Sequence, residues 1–235
     1  MTTSVDPKVQ KLLKQEEQKL EDFIFNEYFA SNIKASPLKS AEAVTAETRA
    51  KIREKIQWLE KNVEKSIQLF NHAAHNPKER QHVEEVFSKC RAEAQSVLLK
   101  GEVSDSAHIG VKDVDFLVTL AKKELAAGRF EDASKMFALL VQLFPAYSPT
   151  WIGWAISEMR WGDQTAATAI YDTALVLLPK DLLLAFYAAR FYGISNKKKA
   201  VEVLQAGLKV PKEAGEDTHL VRDAMNKLLK QLKHS

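Results

Sequence analysis

Gly128-Arg129-Phe130-Glu131-Asp132-Ala133, followed by Phe137 and Pro145, is answered 34 residues later by Gly162-Asp163-Gln164-Thr165-Ala166-Ala167, followed by Tyr171 and Pro179. A chain that repeats its turn-forming, small and aromatic positions at this spacing folds as stacked helix–turn–helix units, because one unit alone cannot bury its apolar face. Stacked units present a concave surface suited to an extended polypeptide and seldom do chemistry. Function is therefore sought in a groove and its ligand.

The rest of the sequence agrees with an all-α chain. Glycine and proline number only 8 and 7, helical periodicity runs nearly throughout, and no segment alternates as a strand would. A hydrophobic fraction of 46% and a charged fraction of 28% are those of an ordinary globular protein. The net charge of +3 does not call for nucleic acid, and what basic excess there is collects after Asn196. Cys90 is the sole cysteine, so no intrachain disulfide can form. The opening residues show no basic and apolar signal pattern, and no apolar run reaches the roughly 18 residues that span a bilayer. The expected address is cytoplasmic, without membrane insertion.

Before the repeats, the pattern predicts a helix from Asp6 to about Ile33 and a break at Ala35–Ser40. A second helix is expected over about 46–75, with Ile52, Ile56, Leu59, Val63, Ser66 or Ile67, and Phe70 forming a heptad-like seam. That seam either packs within the chain or pairs two chains as a homodimer. Asn76-Pro77-Lys78-Glu79 reads as a helix restart, with Asn76 the cap, Pro77 the first helical position and Glu79 closing a capping box. Val83, Val86, Phe87, Cys90, Ala94 and Val97 mark the third helix, which ends near Gly101. The polar stretch 102–112 is read as a linker, leaving 1–101 as an N-terminal helical region and 113–235 as a repeat domain.

The 34-residue period is that of the tetratricopeptide repeat. In the first unit, helix A covers about Val114–Ala127, and helix B turns Phe130, Ala133, Phe137, Leu140 and Val141 inward. The second unit places Trp151, Trp154, Ala155 and Glu158 on helix A, and Ala167, Tyr171, Ala174 and Leu175 on helix B. Both tryptophans are expected in the core between helices. A third, worn unit has Ala188, Ala189 and Tyr192, then Ala200, Leu204 and Leu208, joined by a turn one residue short of register. Residues 217–233 supply a capping helix through Leu220, Val221, Ala224, Met225, Leu228 and Leu232. The helix A faces turned away from their own helix B should line the groove. These are Val118, Lys122 and Leu125, then Ile152, Ile156, Met159 and Arg160, then Leu183, Phe186, Tyr187 and Arg190. An apolar surface punctuated by cations suits an extended peptide.

Other signals weigh less. His72, His75 and His82 lack a cysteine or carboxylate at ligand spacing, so no metal is expected. No phosphate-cradling glycine loop, nucleophile elbow or carboxylate pair is visible, which predicts no catalytic residue and no cofactor. Lys197-Lys198-Lys199 reads as a solvated turn, and Cys90 as a buried core residue.

From about Asp115 to Val210 the chain resembles the tetratricopeptide chaperones of bacterial type III secretion, in particular the class II chaperones of translocator proteins. The residues that carry this are Gly128 through Phe137, Leu140, Leu143, Gly153, Gly162 and Phe186-Tyr187-Ala188-Ala189. The resemblance implies a non-enzymatic cytoplasmic chaperone, often a homodimer. It would hold a secreted hydrophobic protein, a translocator or an apparatus subunit, by a short proline-containing segment lying in the groove. The alternative is a general scaffold linking cytosolic or membrane-associated proteins.

Overall fold

Each turn of this fold is set by a small number of capping residues, and all regular structure among the described residues is helical. The structure, a computed structural model, describes residues 15, 18, 21, 22, 26, 40–100, 109–211 and 218–234. Most of the expected first helix, all of the break after it except Ser40, and most of the 102–112 linker lie outside these residues. The chain divides into two compact units, Met1–Lys65 with Ala94–Val103, and Ser66–Glu93 with Ser104–Ser235.

Helix α1 spans Ala41–Ala73. It starts five residues before the expected 46 because the Ser40 hydroxyl accepts the Ala43 N–H at 3.2 Å, satisfying an otherwise orphan donor. In the first unit, Ile52 is buried and Val63 half-buried; the side chains of Ile56 and Leu59 lie outside the described set. Glu21, 1% exposed, is held there by Arg49 at 3.4 Å and Arg53 at 2.9 Å. In the second unit, Phe70 packs on Phe87 with ring centroids 5.3 Å apart, over buried Val83 and Val86. The Ser66 hydroxyl reaches the Lys135 carbonyl at 3.4 Å.

Helix α2, Pro77–Lys100, begins at the expected restart. Asn76 Oδ1 accepts the Glu79 N–H at 2.9 Å, but the Glu79 carboxylate accepts from the His75 N–H, at 2.8 Å, one residue upstream of a standard capping box. Cys90 is half-buried rather than enclosed, and burial together with Glu93 pushes its thiol up to about 11, so it stays protonated.

The repeats follow as helices α3 (Val111–Ala126), α4 (Phe130–Leu143), α5 (Ser148–Trp161), α6 (Gln164–Leu177), α7 (Leu182–Ser195) and α8 (Lys197–Lys209), closed by α9 (His219–His234). Gly128 and Gly162, the first residues of the sequence echo, adopt φ +80° and +103°. Only glycine enters this left-handed region freely. It lets the Arg129 N–H return to the Glu124 carbonyl and the Asp163 N–H to the Glu158 carbonyl, ending α3 and α5 in the same way. The third unit holds Asn196 at this position. With φ −144° it is extended, serves as the single connecting residue, and accepts the Lys199 N–H on Oδ1 at 3.1 Å. That one-residue link is why the unit runs one residue short.

Alanines let the helices of a unit approach closely: Ala133, Ala167 and Ala200 are fully buried, as are Phe137 and Leu204. Trp151 is buried with its indole N–H on the Pro145 carbonyl at 2.8 Å, and Trp154 is half-buried beside it, 6.2 Å between centroids. The Ser134 hydroxyl donates to the Glu158 carboxylate, tying α4 to α5. Two expectations need correction. Leu220 is 75% exposed, because α9 meets α7 and α8 through Met225 and Leu232 one turn or more further on. Lys199 is not a free turn lysine: its ammonium lies 2.5 Å from Asp172 and 4.4 Å from the Tyr192 ring centre, so helix α8 is pinned to α6.

Glu124 gives a test of the first turn. It is 4% exposed, and Arg129 donates to it through Nε and, at 2.8 Å, through Nη2. This hydrogen bonding holds its carboxyl below the usual range despite burial. Glu124→Gln should therefore lower stability at pH 7 by about 1–2 kcal/mol. A depressed folded pKa stabilises above the unfolded value of roughly 4.3, and the benefit is lost as pH falls through the lower folded value. Urea midpoints of the two proteins should converge on acidification. A constant gap would show that the carboxylate charge is not what counts.

Candidate functional site

Helix α5 packs against both α3 and α7, so the three A helices form one layer, with α4, α6 and α8 behind their partners. At the C-terminal end of that layer lies an open cavity of about 490 Å³, within the range of ligand pockets. Its walls follow the 34-residue period. Lys122, Ile156 and Arg190 occupy one repeated position on α3, α5 and α7; Ala126, Arg160 and Ile194 occupy another, one turn on; Leu125 and Met159 lie between. Tyr187, Phe191 and, from α6, Tyr171 complete the lining.

Of the residues expected in the groove, the structure gathers Lys122, Leu125, Ile156, Met159, Arg160, Tyr187 and Arg190 at this cavity. Val118, Ile152 and Phe186 share a repeated position one turn before Lys122, Ile156 and Arg190. There Val118 and Ile152 are 2% and 6% exposed, and Phe186 is half-buried against Tyr187, 5.7 Å between centroids. None of the three is among the residues that line the cavity. Leu183, 39% exposed, lies near the start of α7, away from it.

Ala126, Tyr171, Phe191 and Ile194 line the cavity in addition to the groove residues the sequence predicts. Ala126 and Ile194 stand 34 residues either side of Arg160, so extending the period by one turn would have found them. Tyr171 lies mostly in the core, 2% exposed, with its ring 5.3 Å from that of Phe191.

The electrostatics of the lining are one-sided. The Arg160 guanidinium lies 5.3 Å from the Phe130 ring centre and that of Arg190 lies 5.7 Å from the Phe186 ring centre. Such stacking orients a guanidinium while leaving its N–H groups available. Among the described residues, neither arginine nor Lys122 forms an ion pair with a carboxylate, whereas Glu124, Asp172 and Asp113 are engaged elsewhere. Burial raises the Tyr171 hydroxyl above the usual tyrosine range, with Tyr187 adding to this and Arg190 opposing it. The phenol is thus a neutral donor on the same cavity lining as both. Among the described residues no group of His, Cys, Asp or Glu could hold a metal ion, and no helix is long and apolar enough to cross a membrane.

No protein-family model matches the sequence, and no curated protein does. Among solved structures, the chain is similar to PcrH from Pseudomonas aeruginosa, at 16% identity and a TM-score of 0.44, over 54% of this chain and 96% of PcrH. It is likewise similar to the type III secretion translocator chaperone SycD of Yersinia enterocolitica, at 20% identity and a TM-score of 0.44, over 55% of this chain and 90% of SycD. A second SycD structure, in complex with a peptide of the translocator YopD, aligns at 20% identity and a TM-score of 0.43, over 54% of this chain and 97% of that one.

Proposed function

We propose that this chain is a non-enzymatic, cytoplasmic type III secretion chaperone that holds an extended segment of a secreted protein against helices α3, α5 and α7. The observation that carries the binding role is the cavity itself: apolar side chains from three consecutive A helices, at repeated positions, open on one face. Extended chains bind such surfaces by inserting alternate side chains, while polar groups at the rim meet their backbone. The kind of client follows from the sequence resemblance of Asp115–Val210, with a translocator or apparatus subunit as its class. The domain so employed is residues 113–235, and two copies would pair through N-terminal helical residues other than Ser66–Glu93, which fall in one compact unit with the repeats.

Co-purification from the native host should recover one secreted protein, and deleting the chain should remove that protein from the secreted fraction. A chain recovered alone, with secretion unchanged, would overturn the proposal. A partner that co-purifies but is never secreted would point instead to an adaptor.

A further inference from the structure

Three cations stand at this cavity, one on each A helix, and none has an anionic partner among the described residues. Lys122, Arg160 and Arg190 are all exposed, and two of them are oriented by aromatic rings. Beneath them, Tyr171 is 2% exposed, and its hydroxyl makes no hydrogen bond to any described residue, although buried hydroxyls ordinarily find one. It has no fully enclosed polar atom, so the hydroxyl touches open space, and its electrostatic neighbours, Tyr187 and Arg190, are both on the cavity wall. A neutral donor at the floor and guanidinium donors at the rim therefore converge on one cavity without an acceptor.

Resting on the reading of this cavity as a peptide site, we propose that the segment it holds carries an aspartate or glutamate side chain. That carboxylate would accept hydrogen bonds from the Tyr171 hydroxyl and the Arg190 guanidinium, while flanking apolar side chains contact Ile156 and Met159. A carboxylate is the group that satisfies this donor set: planar, able to accept from arginine in a fork, and stabilised by surrounding positive charge. A backbone carbonyl would satisfy one donor and leave the net charge uncompensated. Apolar lining on all three helices means that residues on both sides of the acid find contact, which favours an internal side chain over a chain terminus.

The test uses the full chain and an array of C-terminally amidated, N-acetylated dodecapeptides of random sequence. Retained peptides should be enriched in Asp or Glu flanked by apolar residues. For the strongest binder, replacing the acid with its amide should weaken affinity about tenfold, as loss of a charge-assisted hydrogen bond implies. Arg190→Gln, at an exposed position, should weaken the acidic peptide by a similar factor and its amide counterpart by clearly less. Tyr171→Phe, which removes only the hydroxyl, should do the same more mildly, about threefold. No retained peptide would count against the peptide site itself. Retained peptides without acidic enrichment, acidic peptides indifferent to both substitutions, or binding restored only by a free C-terminus would each overturn this inference while leaving the peptide site standing.

Discussion

Gly153→Ala is expected to destabilise the protein by about 2 kcal/mol, although alanine is the better helix former. A Cβ at Gly153, on α5, would lie 2.3, 2.4 and 2.6 Å from three carbons of the Phe137 ring, on α4. That ring is fully buried, so it cannot swing into solvent; either it leaves its rotamer or the two helices separate. Overpacking a dense core costs up to about 3 kcal/mol, and gaining alanine in a helix returns roughly 1. Urea denaturation should show the lower midpoint. Combining Gly153→Ala with Phe137→Leu should cost less than the sum of the two, because the smaller side chain relieves the clash. A midpoint that stays or rises in Gly153→Ala would mean that α4 and α5 are not in contact at this point.

Ile156→Asp should reduce binding of the partner segment by on the order of a hundredfold, with helicity unchanged. Ile156 is half-buried at the centre of the repeated lining positions, between Lys122 and Arg190. The substitution removes an apolar anchor. It also places on the wall a carboxylate that can pair with the cations of the lining. Since the residue is not part of the enclosed core, far-ultraviolet circular dichroism should match the parent protein. Unaltered affinity, measured by isothermal titration with the co-purified partner's segment, would move the site off this cavity.

The repeat period made much of this structure legible. Gly128 and Gly162 announced two helix ends, Asn76 and Pro77 a helix start, and the alanines at 133 and 167 the close crossings, because each is a local requirement of backbone or volume. The cavity was legible to the right face but not to the right depth. Val118 and Ile152 share the helical face of Lys122 and Ile156, and periodicity cannot tell which turn of a face the neighbouring elements cover. Tyr171 was harder still: its ring belongs to the core and its hydroxyl to the cavity, a division made within one side chain. In the sequence Lys199 reads as solvated because its partner, Asp172, lies 27 residues away and is met only after α6 and α8 have packed.

The most direct test of the groove is site-specific photo-crosslinking in the native host. A benzophenone side chain installed at Ile194, on the cavity wall, is compared with one at Val176, on α6 outside it; the two native residues are 85% and 79% exposed. The expected result is a single cross-linked partner from position 194, joined through one contiguous segment, and none from position 176. Equal labelling from both positions, or labelling from 176 alone, would contradict a peptide held at the ends of α3, α5 and α7.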